Sequence, residues 1–239
     1  MLITGGDGHI AKEIVKKYLQ AGSIVIATDI HENTTSHEFR NYENYEYYKV
    51  DSTNIEELKD IHKKIKGKYG RITHLISAVG RPMKTEIDGI ESVTFKEIEK
   101  SISLNLTSHI YTVKIFLDLL EKETGTNKTI TLISSINALK SFNLPVYSSA
   151  KAGIYGFMKS LTKELGRKNI RINVISPGTV PTMEEMQSNG NFYNYRYKEM
   201  LALNEFTRQT DIADAVYALT NITKAITGQN IVVDSGQIS

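Results

Sequence analysis

The sequence predicts an α/β fold, a doubly wound and seven-stranded parallel sheet with helices on both faces in three layers. Short apolar runs rich in β-branched residues alternate with longer segments of helical periodicity along the chain. This alternation is typical of parallel sheets covered by helices. A glycine-rich turn follows the first apolar run directly, as it does where the first strand of such a sheet leads into a helix.

The strand and helix segments follow one another in order. The expected strands are residues 2–4, 23–28, 47–50, 74–77, 129–134, 171–175 and 230–233. The expected helices are residues 10–20, 54–68, 94–122, 148–167 and 210–220. No linker, repeat or break in composition divides the chain, so residues 1–239 are expected to form one domain.

Composition narrows the classes of function. The 29 basic and 27 acidic residues give a formal charge of +2 without a basic block, so nucleic acid is not an expected partner. There are no cysteines, which excludes disulfides, thiolate metal sites and cysteine nucleophiles. The six histidines show no ligand-like cluster, so no metal is expected. Neither a signal peptide nor a membrane span is predicted, and a cytoplasmic location is expected.

The turn at residues 4–11, Thr-Gly-Gly-Asp-Gly-His-Ile-Ala, suits a pyrophosphate. Gly5 and Gly8 allow a tight turn and a close approach of the backbone to phosphates at the helix start, and Ala11 lets the helix pack on the strand. Asp29 ends the second strand, where its carboxylate can accept hydrogen bonds from an adenosine ribose and would repel a 2′-phosphate. The sequence therefore favours NAD over NADP, with a solvated strand-end residue as the alternative for Asp29.

Three further positions follow strands or interrupt a helix. Asp51 could bind the adenine amino group or cap the next helix. Gly80 follows the fourth strand and permits a close approach of the cofactor. Asn105 lies on an otherwise apolar helix face, either as a satisfied core amide or as a helix kink or water site on a proton path.

Tyr147 and Lys151 lie four residues apart where a loop enters a predicted helix, which places phenol and ammonium on one face. A tyrosine hydroxyl titrates at about 10 and is a poor base at neutral pH. A neighbouring ammonium and a nicotinamide cation both favour the phenolate, so this pair could move a proton to or from a substrate oxygen.

The spacing alone does not identify a proton-transfer pair, because it recurs at Tyr45/Lys49 and Tyr155/Lys159. The first pair falls near an extended segment, where successive residues alternate faces. The second falls in the middle of a helix, as a half-buried tyrosine and a solvated lysine. Only Tyr147 stands at a helix entrance shortly after a strand that ends in two serines, and this context selects it.

Together these residues resemble the short-chain dehydrogenase/reductase family, in its compact single-domain branch, over essentially the whole chain. The resemblance implies a Rossmann-type fold and NAD(H)-dependent interconversion of a secondary alcohol and a ketone. Tyr147 would be the acid/base, and Lys151 would lower its pKa and hold the nicotinamide ribose. Ser135 would polarise the substrate carbonyl, with Ser134 as the alternative, and Asn105 would hold a water that links Lys151 to solvent.

The resemblance also implies a set of cofactor contacts, which includes the segment 176–182 against the nicotinamide carboxamide. The expected set is Gly5, Asp7, Gly8, His9, Ile10, Asp29, Ile30, Asp51, Ser52, Ala78, Val79, Gly80, Tyr147, Lys151, Pro177, Gly178, Val180 and Thr182. Two departures stand out. His9 occupies a position where the compact branch usually carries glycine, and Ser-Ala-Val-Gly at residues 77–80 replaces the family's Asn-Asn-Ala-Gly.

Substrate recognition is expected from a lid at about residues 179–208. Aromatic residues interleaved with asparagines and Arg196 favour a small polar substrate, such as a sugar, a polyol or a hydroxy acid. A surface loop or a subunit contact is the alternative reading of this stretch.

Two other functions stay open: a ketoreductase for acyl chains on a carrier protein, and a non-catalytic dinucleotide sensor or scaffold. The resemblance further implies a homo-oligomer, a dimer or a tetramer. The segments 94–122 and 148–167, together with the last strand, would form its contacts, because both helices carry apolar residues on more than one face.

Overall fold

Seven strands form one parallel sheet in the computed structural model of the chain, which describes residues 1–32, 36–39, 41–125, 127–188 and 197–239. The strands are β1 (Leu2–Thr4), β2 (Val25–Asp29), β3 (Tyr45–Lys49), β4 (His74–Ser77), β5 (Lys128–Ile133), β6 (Ile170–Pro177) and β7 (Asn230–Val233). Their order is β3-β2-β1-β4-β5-β6-β7, and every neighbouring pair is parallel. The predicted doubly wound sheet is confirmed.

Helices cover both faces of this sheet. They are α1 (His9–Gln20), α2 (Ser36–Phe39), α3 (Ile55–Tyr69), α4 (Phe95–Ile102), α5 (Ser108–Glu121), α6 (Pro145–Gly166) and α7 (Gln209–Tyr217). Successive strand residues point to opposite faces. Leu75 accordingly packs in the core beneath α3, α5 and α6, whereas Ile76 packs in the core beneath α1 and α7. No helix in the described part of the chain is long and apolar enough to cross a membrane.

Three of the predicted helices differ from the observed ones by more than one residue. The segment 94–122 is not one helix, because a π-helical turn at Ser103–Thr107 separates α4 from α5. Helix α6 begins at Pro145 rather than at residue 148, since proline suits the first turn of a helix, where its missing N–H costs nothing. Helix α7 ends at Tyr217 and continues as a second π-helical turn, Ala218–Ile222.

The strand order reverses between β1 and β4, and the glycine turn lies at this point. Gly5 has a φ of +74°, and a Cβ there would lie 2.9 Å from Ala78 C and Val79 N. Glycine therefore meets both a conformational and a steric requirement at this position. In doubly wound sheets, ligands bind beyond the carboxyl ends of the strands at such a reversal.

Candidate active site

Helix α6 brings Tyr147 and Lys151 to the carboxyl edge of the sheet. The Lys151 Nζ atom lies 5.8 Å from the centroid of the Tyr147 ring, and Ser135 lies near enough to the Tyr147 phenol to lower its pKa. Ser134 and Ser135 directly follow the end of β5 at Ile133, so strand and helix meet here. The three predicted side chains are thus brought together.

The two neighbouring serines have different environments. The Ser134 hydroxyl donates to the Lys151 carbonyl at 2.9 Å, which ties α6 to the end of β5. The Ser135 Oγ atom accepts from the Asn137 backbone N–H at 3.2 Å and donates to Asn137 Oδ1 at 3.0 Å. Because Ser135 contacts Tyr147 and Ser134 points into the helix, the geometry favours Ser135 for contact with a substrate oxygen.

Lys151 is almost completely buried, with 2% of its surface exposed. Its Nζ atom donates to the carbonyl oxygens of Val79 at 3.2 Å and of Ile133 at 3.0 Å, at the ends of β4 and β5. Burial lowers the pKa of Lys151 to about 7, because the ammonium form loses hydration. Its charge is therefore sensitive to conditions near neutrality.

Burial raises the pKa of Tyr147 to about 12, although the nearby Ser135 side chain acts in the opposite direction. Burial is the largest cause of this shift, because the phenolate form loses hydration. The expected lowering of the pKa of Tyr147 by Lys151 and by a nicotinamide cation stays a prediction.

Asn105 lies in the π-helical turn between α4 and α5, as the kink interpretation of the sequence anticipated. Its Nδ2 atom donates to the carbonyls of Arg81 and Ser101, both at 3.0 Å. Its buried Oδ1 atom has no hydrogen-bond partner among the residues that the structure describes. An unpaired buried oxygen of this kind suits a water molecule.

Gly80 leaves room beside both Asn105 and Lys151. A Cβ at Gly80 would lie 2.5 Å from Asn105 Oδ1 and 2.7 Å from Lys151 Nζ, and the φ of Gly80 is +139°. Only glycine fits here without displacing one of these atoms. The amide oxygen and the ammonium thus face one shared space, which supports the predicted water link between them.

His109 is a buried neighbour of this group that the sequence did not suggest. Its Nε2 atom lies 2.9 Å from the Val79 carbonyl, which also accepts from Lys151. Burial and the charge of Lys151 lower the pKa of His109 well below its ordinary value, so the imidazole is neutral. A neutral imidazole that donates through Nε2 fixes the Val79 carbonyl beside the site.

On the opposite side of the β1–β4 reversal, Asp29 holds the glycine turn. Its carboxylate accepts from the Asp7 N–H at 3.1 Å and from the His31 N–H at 3.2 Å. Lys12 pairs with Asp7 at 3.2 Å. Burial, followed by the charges of Asp29 and Asp7, raises the pKa of the nearby Tyr47 phenol. The ribose end of the predicted cofactor site is thus rich in negative charge.

Gly6 is a member of the turn that the sequence analysis did not select. Its N–H donates to the Thr28 carbonyl at 2.9 Å, and a Cβ on Gly6 would lie 2.8 Å from the Ala27 Cβ. Gly8 precedes α1 in an extended conformation, so its backbone angles do not demand glycine. His9 is exposed at the first position of α1, and Ile10 beside it is half-buried.

Asp51 does not cap the helix that follows it. Its carboxylate accepts from the backbone N–H and the hydroxyl of Thr53, at 2.8 and 2.7 Å, and so orders the turn after β3. Asn54 caps α3, accepting from the Glu56 N–H at 3.1 Å. Ser52 beside them is buried, and its Oγ atom lacks a hydrogen-bond partner among the described residues.

The segment that follows β6 is held by the last strand and its continuation. A Cβ on Gly178 would lie 2.6 Å from the Asp234 Cβ. The Thr179 N–H donates to Gln237 Oε1 at 2.8 Å, and Gln237 Nε2 donates to the Thr179 hydroxyl at 2.9 Å. Thr182 caps the helical residues 183–188, because its hydroxyl oxygen accepts from the Glu185 N–H. This hydrogen bond gives the hydroxyl a structural role.

Two predicted cofactor contacts remain, Ile30 and Val180, together with the predicted lid. Ile30 is 52% exposed beyond β2, whereas Val180 packs against the core beneath α1 and α7. The aromatic stretch of the predicted lid falls largely on residues 189–196, which lie outside the described residues, as does Arg196.

A cavity of about 550 Å³ opens at the start of helix α6. Its walls combine apolar side chains with amides and hydroxyls: Ile87, Ile90, Leu144, Asn137, Asn143 and Ser148. Pro145 and Ser148, which flank Tyr147 in the chain, both line it. The cavity thus adjoins the helix turn that carries Tyr147.

Comparisons with known proteins show which family the chain resembles. A family model described as enoyl-(acyl carrier protein) reductase matches residues 7–237. The chain is 31% identical over 248 residues to the 3-oxoacyl-[acyl-carrier-protein] reductase FabG of Buchnera aphidicola, covering 98% of this chain and 95% of the relative.

Two solved structures illustrate the likeness in three dimensions. ElxO with NADP bound has a TM-score of 0.89 and 28% identity, over 99% of this chain and 97% of that one. A short-chain dehydrogenase from Leptospira borgpetersenii with bound NAD+ has a TM-score of 0.88 and 25% identity, over 100% of this chain and 92% of that one. Solved relatives thus include complexes with either dinucleotide.

The fold, the glycine turn and the matching relatives define an oxidoreductase that uses a nicotinamide dinucleotide. The chain belongs to the short-chain dehydrogenase/reductase family.

Proposed function

We propose that this protein is an NAD(H)-dependent oxidoreductase that interconverts a secondary alcohol and a ketone, with Tyr147 as the acid/base. The arrangement of Ser135, Tyr147 and Lys151 at the carboxyl edge of the sheet carries this proposal. In reduction, the Tyr147 hydroxyl gives its proton to the carbonyl oxygen while the Ser135 hydroxyl donates a hydrogen bond to that oxygen. In oxidation, the Tyr147 phenolate takes the proton from the alcohol.

Bound NAD(H) supplies or accepts the hydride, and its oxidised ring carries a positive charge. Tyr147 needs such a charge nearby, because burial raises its pKa to about 12. The Lys151 ammonium would bind the nicotinamide ribose, and the space beside Gly80 would let the cofactor approach. The orphaned Oδ1 atom of Asn105 would hold a water that returns protons to Lys151.

The preference for NAD over NADP is argued from the charges of this chain. Asp29 and Asp7 lie together at the end of β2, and Glu32 contributes a further negative charge near Tyr47. A 2′-phosphate would meet repulsion there, whereas ribose hydroxyls would find acceptors. The carboxylate of Asp29 is the main determinant in this proposal.

Two substrate classes fit the cavity. The amides and hydroxyls of Asn137, Asn143 and Ser148 suit a small polar alcohol or ketone, such as a sugar, a polyol or a hydroxy acid. The apolar wall of Ile87 and Ile90, together with the likeness to a 3-oxoacyl-carrier-protein reductase, favours a 3-oxoacyl thioester as the second candidate.

Turnover with and without the Tyr147 hydroxyl tests the proposal. Purified protein would be assayed at the reduced-nicotinamide absorbance with NAD(H) and NADP(H), on polyols, sugars, hydroxy acids and acetoacetyl-CoA. Tyr147→Phe is expected to lower kcat by roughly 10²–10⁴-fold while NAD binding, measured by calorimetry, is retained.

Tyr155→Phe is the matched control, because Tyr155 has the same spacing to a lysine in the same helix. Lys159 Nζ lies 5.3 Å from the Tyr155 ring and donates to the Gly228 carbonyl. This variant should keep its activity. Turnover that survives Tyr147→Phe would refute the mechanism, and NAD binding without any turnover would favour a dinucleotide sensor. A cytoplasmic location and a homo-oligomeric state stay predictions.

A further inference from the structure

Glu86 is a fully buried carboxylate beneath the start of helix α6. It belongs to the short 3-10 helix Lys84–Asp88 after β4, and none of its surface is exposed. Among the residues that the structure describes, it has no ion-pair partner. A buried carboxylate is costly unless hydrogen bonds replace its hydration, so its position requires an explanation.

Donors from two sides satisfy this carboxylate. Glu86 Oε2 accepts from the backbone N–H groups of Val146 at 3.0 Å and of Tyr147 at 2.9 Å. Its Oε1 atom accepts from the Ser101 hydroxyl and the Met83 N–H, both at 3.3 Å. The first N–H groups of a helix have no partners within it, and the helix dipole favours an anion there. Glu86 therefore fixes the helix turn that carries Tyr147.

The same carboxylate is connected to Asn105 through Ser101. The Ser101 hydroxyl that donates to Glu86 also accepts from Asn105 Nδ2 at 3.3 Å, and the Ser101 carbonyl accepts from that amide at 3.0 Å. Ser101 and Asn105 are themselves buried. A short chain of hydrogen bonds thus joins the backbone of Tyr147 to the π-helical turn that carries Asn105.

We propose that Glu86 is a positioning residue, whose carboxylate holds Tyr147 through the start of α6 and Asn105 through Ser101 in one arrangement. This inference rests on the proposed function, since it assigns Tyr147 and Asn105 their roles. Glu86 makes no contact with the substrate in this proposal. It acts through the backbone of α6 and through its negative charge.

The negative charge separates this role from simple helix capping. Lys151 from α6 faces Tyr147, Ser135 reaches it from the loop after β5, and neutral His109 from α5 lies beside Lys151. Burial raises the pKa of Tyr147, Ser135 lowers it, and Glu86 raises it further. Glu86→Gln keeps an acceptor for the helix but removes the charge, and is expected to lower the pKa of Tyr147.

The first experiment needs no substrate. Protein labelled with ¹³C at the tyrosine Cζ would be titrated by NMR with NAD+ present, and Tyr147→Phe would assign the signal. Glu86→Gln should move the titration of Tyr147 to lower pH by roughly one unit. Asp211→Asn is the matched control: Asp211 accepts from the Arg208 N–H at 2.8 Å at the start of α7, which carries none of the proposed catalytic residues.

The outcomes separate the two proposals. A Tyr147 titration unchanged in Glu86→Gln would overturn the role of Glu86, whatever the activity assay shows. If the wild type turns over no substrate, the proposed function fails. The titration of Tyr147 still tests the role of Glu86 in that case. With turnover, the acidic limb of the kcat profile for oxidation should move to lower pH by the same amount as the titration.

Ser101→Ala tests the connection to Asn105 and replaces Glu86→Gln if that variant does not fold. It keeps the carboxylate and its bonds to α6 but removes the hydroxyl between Glu86 and Asn105. We expect kcat to fall by about tenfold with the KM for NAD unchanged. A kcat equal to that of the wild type would overturn the connection.

Discussion

Lys151 places its amine in the protein interior, where the carbonyls of Val79 and Ile133 accept its hydrogen bonds. These contacts satisfy the donors without supplying a negative charge, and burial brings the pKa of Lys151 to about 7, so charged and neutral forms coexist near neutral pH. Without a cofactor, the site therefore holds a protonated phenol and a partly charged amine. The positive charge of a bound nicotinamide would favour the phenolate. This residue-scale arrangement has a measurable effect on stability.

The stability of the protein should depend on pH through Lys151. Its pKa is about 7 in the fold and about 10.5 when solvated, so the unfolded chain binds more protons between these values. The free energy of unfolding should therefore rise with pH in this window, by at most about 1.4 kcal/mol per pH unit from this residue. Lys151→Met should remove that slope. Denaturant unfolding at pH 7 and 9 measures it, and equal slopes in both proteins would contradict the buried-amine interpretation.

Cofactor choice should depend on Asp29. Asp29→Asn keeps an oxygen acceptor for the Asp7 N–H, so the turn should survive, but the charge is lost. We expect the ratio of NAD to NADP affinity to fall by about tenfold, because charged acceptors bind hydroxyls more strongly and repel phosphate. Calorimetry with both cofactors measures the ratio. Asp60→Asn, which removes an exposed carboxylate that pairs with Lys63 on α3, is the control. An unchanged ratio of NAD to NADP affinity in Asp29→Asn would mean that other residues determine cofactor choice.

At the residue scale, the sequence was sufficient where the relative position of two side chains follows from local spacing. Tyr147 and Lys151 share a helix face, and the structure places Lys151 beside the Tyr147 ring. Glu86 and His109 could not be found in this way. Their importance comes from contacts with residues far along the chain, and neither lies in a local pattern that differs from an ordinary surface or core position.

At the scale of elements, the π-helical turn at Ser103–Thr107 is the least regular part of the site. It inserts Asn105 between β4 and α6, where its amide meets the Arg81 carbonyl. A polar residue on an apolar helix face indicated a kink at Asn105. That the kink is a π-helical turn depends on packing against other elements, which no local pattern specifies. Gly80 fits against this turn, and the fit can be tested.

Gly80→Ala should destabilise both the fold and the site. The added Cβ would lie within 2.7 Å of Lys151 Nζ and closer still to Asn105 Oδ1, at a φ of +139°. We expect a loss of about 1–3 kcal/mol in the free energy of unfolding and weaker NAD binding. Gly67→Ala in α3 is the control, since its Cβ meets nothing within 4 Å and should stabilise by about 0.5–1 kcal/mol. Equal stability of the two variants would contradict this steric argument.

At the scale of the whole molecule, the alternation of strands and helices was sufficient to predict the sheet, because parallel strands need helical crossovers. The outer faces of α5 and α6 remain partly apolar in the single chain. Leu117, Phe157 and Leu161 are only half-buried, although they pack against the core. These faces suit contact with a second copy, as the family resemblance implied.

Phe157→Glu should weaken a homo-oligomer built on these helices. A carboxylate at a half-buried apolar position would be desolvated in the interface, and the penalty is several kcal/mol. Light scattering after size-exclusion chromatography should show a tetramer or dimer for the wild type and a smaller species for the variant. Lys59→Glu on the exposed face of α3 is the control. A monomeric wild type would contradict the oligomer prediction.

The pairing of β1 with β4 also bears on how the chain folds. Leu2 is in register with Leu75, and Gly5 packs against Ala78, so the centre of the sheet joins segments widely separated along the chain. Closing so long a loop costs entropy before any contact compensates it, and high contact order slows folding. The cleft at the β1–β4 reversal cannot exist until this late pairing is complete. During refolding, dinucleotide affinity should therefore return with the last cooperative phase, after most of the helical signal has recovered.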